Sequence, residues 1–432
     1  MDLRKVIDEL DARRDLRRIT ERARTVFDIA RIMEQFDRGP ALLFEEVEGF
    51  ENAVVSGICS NRKRVSETVH ISETDIYDRL MKSIAFPRPP NVRDDGPVAE
   101  IRTEPKLSAL PILKHYENDP APYMTSAIVS ATTYDSTENV SIHRMMVLDD
   151  THLVIRIVPR HLYRFCELAR RDGAKTLDVA ISLGLHPALL VAASSPAPFG
   201  VSEYDVANAL LDGRLSLIQC SNVTARAPAD AEIVLEGRIL LDKQVNEGPF
   251  VDLTGTYDIV RKQPVIELVS MMHRREFIFQ GLLPGGAEHK LLMGLPYEAR
   301  IWNTIRATIP GVRRVALTPG GCGWLHAVIS MDKQSEGDGK AAILAALGAH
   351  PSLKHVVVVD RDIDVDDPLE VEWAIATRFQ ADKGLVLVDN IRSSSLDPSS
   401  DQETQIGAKM GLDATIPLSK NRGKFEKAVI PE

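Results

Sequence analysis

The chain of 432 residues lacks the features of three large classes of protein. Its four cysteines lie far apart without a CxxC pair, which argues against a disulfide framework or a thiolate zinc site. Apolar runs such as AAILAALGA are too short to cross a membrane, and the charged start MDLRKVIDELDARRDLRRI has no apolar segment of a signal peptide. The net charge of −10 disfavours a nucleic-acid partner. We therefore expect a cytoplasmic protein with no membrane and no nucleic-acid partner.

The composition is that of a globular protein, with 44% hydrophobic and 26% charged residues. The length predicts two to four domains. Helices and strands alternate in the first segment, which ends in the Pro-rich linker PRPPNVRDDGP. Strands then dominate, as in TSAIVSATTY, SIHRMMVL and AEIVLEGRILL, and β-α alternation follows. The predicted domains are 1–97 (α/β with the linker), 98–296 (strand-rich α+β), 297–392 (small α/β) and 393–432 (a surface tail).

Two acids bracket a Gly-Pro turn in EGPFVDLTG. Glu247 and Asp252 are five residues apart, and Pro249 disfavours a helix interior. A turn that leads into a short extended run can direct both carboxylates at one point, although a polar loop facing water explains them equally well. In TENVSIHRMMV, Arg144 follows Asn139 and His143 in an apolar strand. Its guanidinium requires an anion, which is either a ligand or a structural partner.

A cluster of basic residues surrounds a predicted strand-to-helix junction in VIRIVPRHLYRF. Arg156, Arg160, His161 and Arg164 at a helix N-terminus are suited to a phosphate, and a solvated helix face is the alternative. Glu203 opens the helix SEYDVANAL, where a carboxylate already favours the helix dipole. Asn, Glu and His side chains also bind hard divalent ions such as Mg²⁺ or Mn²⁺. The acidic run VVVVDRDIDVDDP lacks the Gly and Glu of a calcium loop and is predicted to be a solvated turn.

These segments, taken in order, resemble the UbiD family of decarboxylases, which use prenylated FMN. The similarity extends from about Val98 to Thr415 and includes NVSIHRM, SEYDVANAL, EGPFVDLTGTY, LLPGGAEHKLLMG, VEWAIATR and LDPSS. Val251 departs from the family, whose members usually carry Gly there. The resemblance implies an α+β multi-domain fold: an N-terminal α/β domain, a central split β-barrel cofactor domain over 98–296 that is similar to flavin reductases, and a C-terminal α/β dimerisation domain.

The resemblance also implies a role for each candidate residue. Arg144, Glu247 and Asp252 would form the catalytic group, in which Arg144 holds the substrate carboxylate and Asp252 exchanges a proton. Asn139, Glu203 and His161 would bind the Mn²⁺ or Mg²⁺ that ties the flavin phosphate to the protein. The residues expected to line the prenylated FMN are Ile142, His143, Arg144, Arg156, Ile157, Val158, Arg160, His161 and Leu162.

The substrate class is the last expectation from the sequence. The stretch VSIHRMMVLDDTHLVIRIVPRHLY resembles archaeal members of the family. Their substrate is trans-anhydromevalonate 5-phosphate of the modified mevalonate route, which gives isopentenyl phosphate. The low aromatic content of 5% weakly disfavours the alternative, an aromatic acid of the 4-hydroxybenzoate type. A metal-assisted or glycosidic hydrolase and a non-catalytic flavin-binding subunit are alternatives of another class. A flavin prenyltransferase and a second copy of the chain are the expected partners.

Overall fold

The structure, a computed structural model, describes residues 2–428 and residue 430. The chain divides into two compact units, Met1–Leu292 and Met293–Glu432. Among the described residues, no helix is both long and apolar enough to span a membrane.

The first unit contains seven complete helices in its described part. They are α1 (Leu3–Ala12), α2 (Asp28–Gln35), α3 (Arg62–Thr68), α4 (Ile76–Ala85), α5 (His161–Arg171), α6 (Pro187–Ala193) and α7 (Glu203–Leu210). Short 3₁₀ turns lie at Pro97–Ala99 and Leu107–Ala109. The polar caps expected from the sequence form at α7, where Ser202 accepts a hydrogen bond from the Tyr204 N–H.

The strands of the first unit are short at the N-terminus and long in the centre. They are β1 (Leu16–Ile19), β2 (Ala41–Phe44), β3 (Val54–Ser56), β4 (Asn91–Arg93), β5 (Ile101–Thr103), β6 (Tyr123–Met124), β7 (Ile128–Thr132), β8 (Glu138–Ile142), β9 (Met145–Val147), β10 (His152–Ile155), β11 (Thr176–Leu183), β12 (Ser216–Gln219), β13 (Arg226–Pro228), β14 (Ile233–Glu247), β15 (Phe250–Val251), β16 (Tyr257–Asp258), β17 (Arg261–His273) and β18 (Phe279–Gln280).

The central sheet follows the order β6-β9-β10-β17-β14-β11-β7-β8, with β5 added beside β17. Strands β8 and β9 lie near opposite ends of this order, yet only His143 and Arg144 connect them. Because two residues span less than about 11 Å, the sheet must curl until its ends approach each other. The sheet is therefore a curved half-barrel, filled on one side by apolar residues such as Val129, Ile181 and Leu235.

The smaller sheets of the first unit have the orders β1-β2-β3-β18, β13-β12-β4 and β15-β16. Strand β4 lies inside the segment predicted to be a linker, and it pairs in parallel with β12. The linker prediction was wrong at this point, because β4 itself contains no proline and a strand distant in the sequence pairs with it.

The second unit begins within α8 (Ala287–Arg306). It continues with β19 (Val312–Leu317), β20 (His326–Met331), α9 (Asp338–Ala349), β21 (His355–Asp360), α10 (Pro368–Arg378), α11 (Ala381–Gly384), β22 (Leu385–Arg392), β23 (Ile406–Asp413) and a 3₁₀ turn at Arg422–Phe425. Its sheet order is β19-β20-β21-β23-β22. Helix α8 contains Pro296 in its interior.

The predicted surface tail from Ser393 onward was wrong over part of its length. Strand β23 lies between β21 and β22, paired in parallel with the first and antiparallel with the second. Its sequence IGAKMGLD is rich in glycine and has little β-propensity. Its place in the sheet is decided by the neighbouring strands, and Gly411 fits beside Ile343 of α9.

Candidate active site

The two acids of EGPFVDLTG are brought to one point by a strand end and a short hairpin. Glu247 is the last residue of β14, and a turn with Gly248 at φ +91° leads to β15. Strand β15 pairs with β16, and the Asp252 N–H donates to the carbonyl of Thr256 at 3.1 Å. The turn at Gly248 and the hairpin that follows it therefore bring the carboxylates of Glu247 and Asp252 to the same guanidinium.

Arg144 lies in the two-residue connection between β8 and β9, where the two ends of the curled sheet approach each other. Its Nε donates to Glu247 Oε1 and its Nη2 to Glu247 Oε2, each at 3.0 Å. Its Nη1 donates to Asp252 Oδ2 at 2.9 Å. The side chains of Arg144, Glu247 and Asp252 are 10%, 0% and 19% exposed. The structure thus brings together the three residues singled out from the sequence, in a largely dry environment.

The predicted continuous strand SIHRMMVL was wrong, because β8 ends at Ile142 and β9 begins at Met145. The His143 Nδ1 is 2.9 Å from the Arg156 carbonyl oxygen, and its Nε2 is 2.9 Å from the Ser141 hydroxyl. Arg156 N–H donates to the Arg144 carbonyl at 3.2 Å. These contacts hold the interrupted segment against the end of β10.

Three residues around Arg144 were missed from the sequence. Asp258 accepts from Arg144 Nη2 at 3.3 Å and also pairs with Arg261. The ring of Phe250 lies 4.4 Å from the guanidinium carbon. The Tyr123 hydroxyl donates to Glu247 Oε1 at 3.2 Å. Asp258 and Phe250 are close to the acids in sequence and were within reach of prediction. Tyr123 is distant in sequence, and no local pattern identifies it.

Burial and neighbouring charges together set the pKa values of Arg144, Asp258 and Tyr123. Burial would lower the pKa of Arg144, but its bonds to Glu247 and the nearby acids raise the pKa overall. Burial raises the pKa of Asp258, yet Arg261 and Arg144 outweigh it and hold that pKa below its ordinary value. Burial raises the pKa of the Tyr123 phenol, which therefore stays neutral. The cluster is a set of charged partners that satisfy one another.

A second group lies where β8, α5 and α7 meet. Glu203 is buried, and it accepts from the Val140 N–H at 2.6 Å and from Asn139 Nδ2 at 3.1 Å. His161 Nδ1 lies 3.9 Å from Glu203 Oε1. Burial raises the pKa of Glu203 to about 8, and burial with the charges of Arg160 and Arg164 lowers the pKa of His161. A cation here would relieve the cost of a buried carboxylate.

The donor set suits a hard divalent cation: a carboxylate, an imidazole and the Asn139 amide oxygen, once the amide turns it inward. Across residues 2–428 and 430, no group of three or more His, Cys, Asp and Glu side chains is placed to hold a metal. A cation with three protein ligands at this point would therefore need the Asn139 amide oxygen beside Glu203 and His161.

The segments predicted to line a cofactor are 142–144, 156–158 and 160–162, and hydrogen bonds join the first two through Arg156. The side chains of Ile157 and Leu162 belong to the hydrophobic core. Val158 is exposed, and the Arg164 guanidinium lies 3.9 Å from the centre of the Phe199 ring. Burial, with the charges of Arg261 and Arg144, lowers the pKa of Arg156. This cationic region is suited to an anionic ligand.

The acidic run after β21 is a turn in which Asp362, Asp364 and Asp366 are exposed, as predicted from the sequence, and ion pairs with Arg378 anchor its start. Asp360 is buried and accepts from Arg378 Nη1 at 2.9 Å, and Asp362 accepts from Arg378 Nη2 at 2.7 Å. The buried Arg378 lies 18 residues further along the chain, beyond the reach of local pattern analysis.

Three family models match the chain in order. They are the N-terminal (residues 7–84), Rift-related (91–287) and C-terminal (290–414) domains of 3-octaprenyl-4-hydroxybenzoate carboxy-lyase. The chain is 44% identical to anhydromevalonate phosphate decarboxylase of Methanothermobacter thermautotrophicus, over 95% of this chain and 96% of that protein.

Two solved structures are similar over 100% of this chain. One is the UbiD-class enzyme HmfF from Pelotomaculum thermopropionicum in complex with FMN, with a TM-score of 0.97, 39% identity and 98% of that chain covered. The other is an evolved dimeric form of HmfF in complex with prFMN, with a TM-score of 0.92, 37% identity and 97% of that chain covered.

Proposed function

The chain belongs to the UbiD family, and from this membership we propose that it is a non-oxidative decarboxylase that converts trans-anhydromevalonate 5-phosphate to isopentenyl phosphate and CO₂. The observation that supports the reaction type is the buried Arg144, bound by Glu247 and Asp252. The choice of substrate rests on the similarity to the Methanothermobacter enzyme along nearly the whole chain.

Prenylated FMN is the proposed cofactor, because FMN and prFMN are bound in the similar HmfF structures. Residues 142–144, 156–158 and 160–162 would line it, with Ile157 and Leu162 contributing backbone because their side chains pack in the core. Arg156 and Arg160 would face its phosphate. Asn139, Glu203 and His161 would hold the Mn²⁺ or Mg²⁺ beside that phosphate. When bound, the flavin supplies the electron sink that no side chain can provide.

The side chains would divide the remaining work. Arg144 has five N–H donors, and four of them are used on Glu247, Asp252 and Asp258. The remaining N–H is on Nη1, so a substrate carboxylate would bind there, and by accepting from both N–H groups of Nη1 it would displace Asp252. Displaced from Nη1 and protonated, Asp252 would give its proton to the carbon that loses CO₂. Glu247, fully buried, keeps the guanidinium in one orientation.

The proposed domain organisation has an N-terminal domain over 1–97, a cofactor domain over 98–296, a dimerisation domain over 297–392 and a C-terminal segment over 393–432. The last of these includes β23, so it is proposed to complete the third domain's sheet. The expected partners are a flavin prenyltransferase that supplies the cofactor and a second copy of the chain, as in the dimeric form of HmfF.

A second candidate substrate is an aromatic acid of the 4-hydroxybenzoate type. It is favoured by the matching family models, which describe a 3-octaprenyl-4-hydroxybenzoate carboxy-lyase, and by the aromatic side chains of Tyr123 and Phe250 beside Arg144.

The test uses protein produced together with a flavin prenyltransferase. Trans-anhydromevalonate 5-phosphate and 4-hydroxybenzoate are offered separately, and CO₂ and the product are measured. We expect CO₂ and isopentenyl phosphate from the first acid at a kcat/KM at least about tenfold above that for the second. A higher kcat/KM for 4-hydroxybenzoate would instead favour the aromatic acid as the substrate. An active protein without flavin would favour a hydrolase, and a flavin-bound protein inert with both acids would favour a binding subunit.

A further inference from the structure

The Tyr123 hydroxyl lies between the Glu247 carboxylate and the Gly248 backbone N–H. Tyr123 lies on β6 and is 1% exposed. Its hydroxyl donates to Glu247 Oε1 at 3.2 Å and accepts from the Gly248 N–H at 3.2 Å. One side chain from a distant strand therefore bonds both the carboxylate and the backbone of the turn that carries it.

Glu247 depends on this hydroxyl because its carboxylate is fully buried. Its other side-chain bonds come from Arg144, through Nε on Oε1 and Nη2 on Oε2. Burial raises the pKa of Tyr123, so the phenol keeps its proton and donates it towards the carboxylate. A hydrogen bond to a buried charged group is among the stronger ones in proteins.

Ring contacts through Phe250 also connect Tyr123 to Arg144. The ring of Tyr123 lies 4.7 Å from the ring of Phe250. The Phe250 ring in turn lies 4.4 Å from the Arg144 guanidinium carbon. Loss of the hydroxyl would leave the rings packed, but it would free Glu247 Oε1 from one partner and leave the buried Gly248 N–H without an acceptor.

We infer that Tyr123 is a positioning residue of the active site: its hydroxyl fixes the Glu247 carboxylate, and through it the direction in which Arg144 presents its guanidinium to a substrate carboxylate. The inference rests on the proposed function for the reaction that it serves. The contact between Tyr123 and Glu247 can be tested without that function.

The first experiment compares Tyr123→Phe with Tyr77→Phe in flavin-loaded enzyme. Tyr77 is the control, because it is also a buried tyrosine, and its hydroxyl accepts a hydrogen bond from Arg62 Nη1 at 3.0 Å instead of bonding a residue of the candidate active site. For Tyr123→Phe we expect kcat per bound flavin to fall about 10- to 100-fold. KM should change less than about threefold, because the Arg144 charge still attracts the carboxylate. Tyr77→Phe should leave both values unchanged.

Two outcomes of this experiment would overturn the inference. One is a Tyr123→Phe enzyme whose kcat per bound flavin equals that of the wild type. The other is a loss confined to flavin content or melting temperature, because a purely structural residue changes the amount of active enzyme and not the turnover of each active site.

The second experiment needs no substrate. The free energies of unfolding in urea are measured for Tyr123→Phe, Glu247→Gln and the double variant. Because the two side chains share a hydrogen bond, we expect the double variant to lose clearly less than the sum of the single losses. Additive losses would overturn the inference. If the wild type decarboxylates neither acid, the proposed function fails. The comparison of the single and double variants in urea then decides whether Tyr123 positions Glu247.

Discussion

At the scale of single residues, the site is organised by one guanidinium with more acids than it can neutralise. Glu247, Asp252 and Asp258 all bond Arg144, and Arg261 pairs with Asp258. Glu247 is fully buried, whereas Asp252 is 19% exposed and is held by a single bond to Nη1. We therefore propose Asp252 as the acid that leaves Arg144 and acts on a ligand, with Glu247 as the fixed partner.

The substitution Asp252→Asn tests this division. We expect flavin content to stay normal and CO₂ release to fall about 10²- to 10⁴-fold, the usual contribution of a general acid. Asp149→Asn, in an exposed turn, is the matched control and should retain wild-type turnover. Near-normal CO₂ release by Asp252→Asn would contradict the proton-donor role.

A second residue-scale prediction concerns the metal. Glu203→Gln keeps the shape of the side chain but removes the carboxyl group that would ionise on binding a cation. Because the loss of outer-shell partners alone weakens metal binding about 10- to 100-fold, we expect metal content to fall at least tenfold, with a parallel loss of flavin. Elemental analysis and flavin absorbance measure both, with the exposed Glu51→Gln as control. Unchanged metal content would exclude Glu203 as a ligand.

At the scale of secondary-structure elements, breaks in regular structure place the functional groups. Arg144 occupies the interruption between β8 and β9, and Glu247 and Asp252 flank the turn between β14 and the β15–β16 hairpin. Glu203 and His161 are the first residues of α7 and α5. The regular elements form the scaffold, and the proposed catalytic and metal-binding residues lie at their ends.

The turn at Gly248 offers a test at this scale. Gly248 has φ +91°, so Gly248→Ala should cost about 1–2 kcal/mol of stability. Gly173→Ala is a matched control with φ +81° and open space around the added methyl group. Urea unfolding should show similar losses for both variants. Only Gly248→Ala should lose decarboxylation, since it moves Glu247, and equal activity in both would contradict this role of the turn.

At the scale of the whole molecule, buried neutral histidines make the stability of the first unit sensitive to acid. Burial lowers the pKa of His143 to about 4 and that of His186 to about 3. The unfolded chain takes up these protons below about pH 6.5, whereas the folded chain does so only near pH 3–4. The stabilisation is therefore complete above pH 6.5 and is lost as the pH falls towards the folded values.

The variant His186→Asn isolates one such group, because Asn keeps the cap on α6 that His186 provides to the Ala188 N–H. At pH 5 the wild type should have lost about 2 kcal/mol through His186 relative to pH 7. Urea unfolding at pH 5 and pH 7 measures this loss, and the free energy of unfolding of the variant should fall by about 2 kcal/mol less than that of the wild type. An identical pH dependence in both proteins would contradict a neutral, buried His186.

The proposed dimerisation through the C-terminal unit can be tested on its sheet edge. Strand β22 is the last strand in the sheet order, and Leu387 on it is 67% exposed. Leu387→Glu should shift the mass measured by light scattering from dimer to monomer. Leu369→Glu, at a position 75% exposed on α10, is the matched control. A change in mass with Leu369→Glu alone would place the interface elsewhere.

Local patterns predicted most elements correctly where propensity and periodicity agree. Helices α5 and α7 and strands β7 and β14 begin in the segments predicted for them from the sequence. The failures share one cause: β4 in a Pro-rich stretch and β23 in a Gly-rich one have weak local preference, and both are formed by strands distant in the sequence. Here tertiary pairing overrides propensity.

The sequence by itself determined the chemical inventory of this protein: an arginine that needs an anion, two acids around a Gly-Pro turn, and Asn, His and Glu side chains suited to a cation. Residue type and short spacing suffice for this, because they reflect charge and backbone freedom. Only the tertiary structure decided that the curled sheet brings its two ends together at Arg144 and that Tyr123 bonds Glu247. Those facts depend on contacts across more than 100 residues, which burial and strand pairing create and no local pattern encodes.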